Sequence, residues 1–406
     1  MPSALPDGEP APDDGRLPES ALAGAGERGF GVYVHVPFCA SRCGYCDFNT
    51  YTAAELGGGV TRDDYAALVG REIALARRVV GGAVPKVSTV FFGGGTPTLL
   101  TPEALSGVVA EIDAAFGLAP DAEITTEANP ESVDPDYLRR LRAGGFNRVS
   151  LGMQSTAPGV LATLDRRHTP GRALEAVAEA RDAGFDHVNL DLIYGTPGER
   201  PEDFAASLHA AVGTGVDHVS AYSLIVEDGT ALAAKVRRGD LPRPSDDVAA
   251  DRYLMAEEVL SAAGLTWYEV SNWARDDAAR CRHNLLYWTG GDWWGFGPGA
   301  HSHIAGVRWW NVKHPSRYGE RLAQGLSPAQ GREILTADQR YVEDLLLRSR
   351  LADGMPVTSL QGRGPAAATR LAADGLLDTG ALSSGLLRLT LRGRLLADAV
   401  VRDLLD

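Results

Sequence analysis

Cys39, Cys43 and Cys46 stand within eight residues, in the run Cys-Ala-Ser-Arg-Cys-Gly-Tyr-Cys, while the fourth cysteine, Cys281, lies far along the chain. A disulfide framework spreads an even set of bridges over a small secreted domain, whereas three clustered thiols in a long chain point to metal or redox chemistry. Three thiolates on one loop can hold a cubane iron–sulfur cluster and leave one iron open to a substrate or cofactor. Two other readings fit the spacing: a zinc site short of its fourth ligand, and a redox dithiol formed by Cys43 and Cys46.

A second set of residues falls at the ends of apolar runs. Gly93-Gly94-Gly95-Thr96-Pro97 follows one run, and glycines there let backbone approach a ligand without a side chain in the way. Glu127, Gln154 and Asp191 close three further runs. Each alone is compatible with a helix cap, but together with the cysteines they describe one polar face. A third group is Cys281-Arg282-His283-Asn284-Leu285-Leu286-Tyr287-Trp288, in a stretch to Trp310 that holds five of the seven tryptophans. His283 and Tyr287 share a face at helical or at strand spacing. An imidazole flanked by aromatic rings can ligate heme iron and pack on the macrocycle, with Cys281 as a thiolate or attachment point, although no C-x-x-C-H run is present. A buried aromatic cluster around a hydrogen-bonded histidine is the alternative. Tyr33 and His35 point the same way on their strand, His35 being either a core or a cavity residue. His301 and His303, beyond a Gly-Pro-Gly turn, could face the same cavity; His168, His187, His209, His218 and His314 read as surface or structural.

The elements that must position these groups alternate. Strands are expected near residues 32–36, 87–92, 123–126, 148–153, 188–193 and 216–222, with amphipathic helices between them, several opened by proline. Six such units imply a parallel sheet with right-handed crossovers. No G-x-G-x-x-G fingerprint follows the first strand, and the polar residues collect at the C-terminal ends of several strands, as in barrel-type sheets. The expected fold class is therefore α/β, an incomplete (β/α)6 barrel with a smaller C-terminal winged-helix-like domain. Residues 1–28 carry five prolines and no Val, Ile or aromatic, and read as a disordered tail. The barrel would span 29–245, an extension with the aromatic block 246–330, and the small domain, with a hairpin near 376–391, residues 331–406.

These residues carry a family resemblance. The three-cysteine loop, the Gly-Gly-Gly-Thr-Pro turn and the strand-end polar groups resemble the radical S-adenosylmethionine (SAM) superfamily. Within it, Tyr33-Val-His-Val-Pro-Phe-Cys39, Asn129-Pro130, Gly152-Met-Gln-Ser155 and Asp191-Leu-Ile-Tyr-Gly-Thr-Pro-Gly198 are similar to the oxygen-independent coproporphyrinogen III oxidase group. The resemblance implies that Cys39, Cys43 and Cys46 hold a 4Fe-4S cluster. It further implies that Gly94, Gly95 and Thr96 contact the methionine end of SAM, that Glu127 takes the ribose hydroxyls, and that Tyr33, Tyr45, Gln154, Arg166 and Asp191 complete the site. Reductive cleavage of SAM is the chemistry such a cofactor pair supplies.

Two features bear on the branch. The oxidases have a further cysteine two residues after the cluster motif, where this chain has Phe48. The His283-Asn-x-x-Tyr287-Trp288 block, with Tyr268 to Asn272 and Gly295 to Ser302, resembles the oxidase-like relatives called heme chaperone HemW. That branch implies a protein that binds heme, through the region of Cys281, His283, Tyr287 and Trp288, and passes it to an acceptor such as a respiratory enzyme. The competing readings are a radical SAM enzyme acting on coproporphyrinogen III or another tetrapyrrole, and a plain iron–sulfur electron carrier.

Composition trims the field. The 406 residues carry 39 basic and 53 acidic side chains, a net charge of −14 that argues against a surface made for nucleic-acid phosphates. No apolar run approaches the ~20 residues of a bilayer span, and no secretory signal opens the chain. The expectation is a cytoplasmic protein that meets a membrane at most transiently.

Overall fold

Strands buried on both faces read as near-continuous apolar runs, and six such runs build the centre of this protein. The computed structural model describes residues 7–56, 60–167 and 169–405. After a short edge strand β1 (Glu9–Pro10) come β2 (Phe30–Val36), β3 (Val87–Gly94), β4 (Leu118–Ala128), β5 (Arg148–Gln154), β6 (His187–Tyr194) and β7 (His218–Ser223). They lie side by side in chain order and are parallel throughout. A doubly wound sheet would reverse its strand order at a switch point, and this one does not. The architecture is thus the open, barrel-like (β/α)6 sheet expected from the alternation. Helices return the chain between strands, and those at Pro102–Phe116, Pro135–Ala143, Pro158–Thr163 and Pro201–Gly213 begin with proline. A missing N–H costs nothing in a helix's first turn.

The sheet is extended at both ends. β8 (Thr266–Glu269) and β9 (Asn272–Ala274) add antiparallel strands beside β7. At the other end β10 (Asp292–Phe296) lies parallel to β2, followed by antiparallel β11 (His301–Ile304), β12 (Val307–Asn311) and β13 (Ala329–Ile334). The tryptophans of this extension divide by strand alternation. Trp294 and Trp309 pack into the main core, while Trp293 turns to the opposite face, which lines a cavity.

The N-terminal segment corrects an expectation. Residues 1–6 lie outside the described residues, but 7–28 are not a disordered tail. β1 pairs with β13, Ala21 is fully buried, and Ala11, Leu17 and Ala25 pack on the core. The Gly26 N–H donates to Asp292 at 3.1 Å. The segment's composition is poor in large apolar residues, yet it finds an open sheet edge to cover, which composition alone does not reveal. The expected boundary at 331 also shifts, because it cuts through β13. A separate apolar cluster, with Leu345, Leu371, Leu387 and Leu404, begins only with the helix Ala337–Arg348. Its two-stranded sheet joins Met355–Pro356 to Leu386–Leu387, and the expected 376–391 hairpin is reduced to a single bridge between Leu377 and Leu389.

Glu72 fastens the extension to the barrel. It is buried on the helix Arg62–Val80, and its carboxylate accepts from the Gly297 N–H (2.9 Å), Asn311 Nδ2 (2.7 Å) and the Tyr318 hydroxyl (2.6 Å). Burial raises its pKa to about 7 despite those donors. Glu72→Ala strands three donors away from water. The expected loss is about 3 kcal/mol of unfolding free energy, read from urea denaturation, with a value under about 1 kcal/mol counting against this role.

Candidate functional site

A cavity of about 970 Å³ runs through the open barrel, at the upper end of the range for ligand pockets. Its upper wall is the loop after β2. Cys39, Cys43 and Cys46 all line it, half-buried and unbridged. The loop is held by backbone. The Cys39 N–H donates to Tyr51 O (3.0 Å) and the Gly44 N–H to Leu164 O (2.9 Å), while the Leu232 N–H donates to Gly44 O (2.8 Å). Burial raises the Cys39 thiol to about 11 and lifts Cys46 as well. Arg166 Nη1 stands 3.6 Å from Cys43 Sγ.

The glycine turn after β3 packs directly beneath this loop. The Gly95 N–H donates to Val36 O and the Thr96 N–H to Phe38 O, both at 2.8 Å. Gly94 has φ +113°, and a Cβ there would meet the His35 ring at 2.7 Å. A Cβ on Gly95 would press on Phe38 O and stand 3.0 Å from Cys39 Sγ. Only glycine lets the two loops meet so closely.

The strand ends then supply the polar groups. Glu127 accepts from the Gly94 N–H at 3.2 Å, and burial, with the Asp191 charge second, lifts its pKa to about 8. Asp191 accepts from Ser150 Oγ (2.9 Å) and Asn189 Nδ2 (2.7 Å), and burial raises its pKa too. Gln154 takes φ +65°, a conformation uncommon outside glycine, at a bulge where β5 meets β6. Its Oε1 is buried without a hydrogen-bond partner, and so are Arg166 Nε and Thr125 Oγ1. Unpartnered buried polar atoms around a cavity suit a site that a polar ligand completes. Tyr33 lies midway down the wall, and Tyr45 packs with Val160, Ile193 and Leu224 beside the cysteine loop.

Glu127 and Asp191 hold protons in the folded protein through a pH range where the unfolded chain has released them. Their contribution to stability is complete below their ordinary pKa values near 4 and is lost as pH rises, for Glu127 through about 8. Glu127→Gln is expected to flatten the dependence of the urea midpoint on pH between about 5 and 8. An unchanged slope would count against this origin.

The floor of the cavity is the helix Arg282–Trp288. A carboxylate from β4 holds its start: Glu123 accepts from the Arg282 N–H (3.1 Å) and the His283 N–H (3.0 Å) and stands 3.6 Å from Cys281 Sγ. Buried Arg148 lies 3.7 Å from the same carboxylate. His283 is fully enclosed, with Nδ1 2.8 Å from Thr89 Oγ1 and Nε2 2.8 Å from the Tyr287 hydroxyl. Its ring stacks on Phe91 with centroids 5.1 Å apart, and Tyr287 packs edge-on against Trp293 at 4.6 Å. Burial lowers the His283 pKa to about 3 and raises the Cys281 thiol. A buried chain of hydrogen bonds runs from the Cys281 N–H through Tyr268, His218 and Asn189 to Asp191.

The structure therefore brings together on one cavity the cysteines, Tyr33, Tyr45, Gly94, Gly95, Thr96, Glu127, Gln154, Arg166 and Asp191, with Cys281, His283 and Tyr287 below them. Trp288 does not line it; its indole lies near enough to the buried Glu269 carboxyl to favour its charged form. Sequence reading gave no site role to Glu123, Arg148, Asn189 or Tyr268; His218, read as surface or structural, is buried and hydrogen-bonded beside the cavity. Ionisable residues inside strands otherwise buried on both faces were the available signal. His168 lies outside the described residues.

The donor set can be tested against the implied groups. Among the described residues no three His, Cys, Asp or Glu side chains close around a single ion. A cubane asks for less, since its thiolates bind separate irons, and three thiols on one cavity wall with open space beside them fit it. The unpartnered Gln154, Arg166 and Thr125 atoms fit a polar cofactor next to that cluster.

Known proteins resemble this chain along most of its length. The radical SAM superfamily model matches residues 33–211. The heme chaperone HemW of Mycobacterium tuberculosis is 57% identical over 376 residues, covering 93% of this chain and 95% of the relative. That of Bacillus subtilis is 31% identical, covering 91% and 97%. Among solved structures, the Escherichia coli coproporphyrinogen III oxidase HemN, a radical SAM enzyme, superposes with a TM-score of 0.81 at 25% identity, covering 97% of this chain and 94% of that one. With identity of this depth along nearly its whole length, the chain belongs to the heme chaperone HemW family of the radical SAM superfamily.

Proposed function

We propose that this protein is a cytoplasmic heme carrier that binds heme and hands it to an acceptor protein, with a 4Fe-4S cluster and SAM held in the same cavity. The observation that carries the reading is the continuity of that cavity, from the cysteine loop at its top to the aromatic floor of His283, Tyr287 and Trp293. Cys39, Cys43 and Cys46 would hold the cluster, with the Arg166 guanidinium 3.6 Å from Cys43 Sγ. Gly94, Gly95 and Thr96 would offer backbone to the methionine end. Glu127 would meet the ribose hydroxyls, while Tyr33, Tyr45, Gln154 and Asp191 enclose the rest. When bound, this pair supplies reductive cleavage of SAM; the residues named here bind, orient and exclude water. The acceptor, of which a respiratory enzyme is one class, is met transiently. No helix among the described residues is long and apolar enough to cross a membrane.

A second reading, oxidation of a porphyrinogen, is favoured by the likeness to HemN along nearly the whole chain. Against it stands Phe48, exposed at the cavity edge where that reading asks for a further cysteine. Anaerobic reconstitution with iron and sulfide, followed by heme titration and an assay with coproporphyrinogen III and SAM, separates the two. Stoichiometric heme binding, release to an apo-acceptor and no decarboxylated product are expected. Turnover of coproporphyrinogen III without a stable heme complex would establish the oxidase instead.

A further inference from the structure

Five histidines line the cavity: His35, His218, His283, His301 and His303. A histidine that ligates iron needs one ring nitrogen free to donate its lone pair. Four of the five have both nitrogens engaged. His35 Nε2 donates to Asn49 O at 2.9 Å, and its Nδ1 accepts from the Tyr33 hydroxyl at 3.1 Å. His218 is held between Asn189 Oδ1 (2.6 Å) and the Tyr268 hydroxyl (2.8 Å). His303 Nδ1 donates to Gly291 O and its Nε2 accepts from the Gly306 N–H, both at 3.0 Å. His283, between Thr89 and Tyr287, could ligate only by breaking one of its bonds and leaving a buried hydroxyl without its partner. Cys281 is no substitute: its sulfur faces the Glu123 carboxylate, where a thiolate is disfavoured.

His301 is the exception. Neither of its ring nitrogens has a hydrogen-bond partner among the described residues, and its ring lies at 30° to Trp310 with centroids 6.0 Å apart. Its backbone is fixed. β11 is paired on both sides, and Trp293 Nε1 donates to His301 O at 3.0 Å. A ligand on a paired strand is placed more firmly than one on a loop. Burial lowers the ring's pKa to about 4, so the imidazole is neutral at pH 7 with its lone pair available. The positive Arg308 and Lys313 lie near enough to contribute to that shift, and Arg28 and Arg340, exposed and without an ion-pair partner among the described residues, line the same cavity. The charges of Arg28 and Arg340 complement a planar apolar ring bearing carboxylates, whereas Arg308 is already paired with Glu333 and Glu343.

We propose that His301, rather than His283, supplies the imidazole that ligates heme iron, with His283 acting as a hydrogen-bonded part of the cavity floor. The assignment rests on the heme-binding reading above and fails separately from it. The full-length reconstituted protein is titrated with ferric heme, and the Soret band and electron paramagnetic resonance report the axial ligand. His301→Ala is expected to lose the imidazole signature and at least tenfold in affinity, with circular dichroism and cluster content unchanged. Added free imidazole restores the signature, and His301→Met gives a bound heme with a thioether-type spectrum. His283→Ala keeps the imidazole signature even where lost packing weakens binding. An unchanged spectrum in His301→Ala, or loss of the signature in His283→Ala, overturns the assignment while leaving heme binding intact. Absence of heme binding by the unsubstituted protein overturns both.

Discussion

Alanine at Cys39, Cys43 and Cys46 together is expected to abolish iron and sulfide retention after anaerobic reconstitution while leaving the chain folded. The backbone bonds that hold the cysteine loop use no thiol, and the Arg166 contact with Cys43 Sγ is a weak addition to them. Its backbone hangs from Tyr51, Leu164 and Leu232, and the glycine turn after β3 is tied to Val36 and Phe38 beside it. Three half-buried thiols are small losses of contact, so the apo chain's thermal midpoint should move by no more than about 3 °C. The same variant should lose SAM binding, because the groups that would meet the cofactor face the space the cluster would border. Heme binding should survive if its ligand sits on β11. A full cubane absorption spectrum in the triple variant would overturn the cluster assignment, and collapse of the apo fold would show that the thiols are structural.

How much of this site was legible beforehand follows from which interactions are local in sequence. The cysteine spacing, the triple glycine and the residues closing the β4, β5 and β6 runs are written in short segments, and the parallel sheet brings them to one edge. Strand order followed from the same alternation, since consecutive units with right-handed crossovers stack side by side. Two other features depend on contacts between distant segments. β1 is held by an open edge at β13, some three hundred residues away, and its composition resembles a disordered tail. The aromatic block was recognisable, but the direction of its side chains was not. The helix turns His283 and Tyr287 into the cavity and Trp288 toward Glu269, and Glu123, which decides that orientation, lies on β4. The same holds for histidine chemistry: the sequence marked His35, His283, His301 and His303, the fold adds His218 to the cavity, and only the hydrogen-bond inventory separates His301 from the others.

Glu123→Ala should be among the most damaging single substitutions, although Glu123 would touch no cofactor. Its carboxylate satisfies the first N–H groups of the floor helix, faces the Cys281 thiol, and lies 3.7 Å from Arg148, whose guanidinium is buried with no hydrogen-bond partner. Removing it leaves two backbone donors and one cation uncompensated inside the barrel. Breaking one side of a buried ion pair costs about 3–5 kcal/mol, and a loss of that order is expected in urea denaturation. The cost has a recognisable origin, because Arg148→Met in the same chain removes the stranded charge and should recover part of it. Glu123→Gln, which keeps an acceptor for one N–H, should fall between alanine and the native residue. Hydrogen exchange across 282–288 is the local readout. It should accelerate in Glu123→Ala more than in β5 or β6, since a short helix has few bonds of its own to hold it. Heme affinity should fall with it, through displacement of the floor and not through loss of a ligand, so the imidazole signature of the heme that still binds should be unchanged. Uniform exchange along the chain, or a loss under about 1 kcal/mol, would show that the floor is held by its aromatic packing instead of this carboxylate.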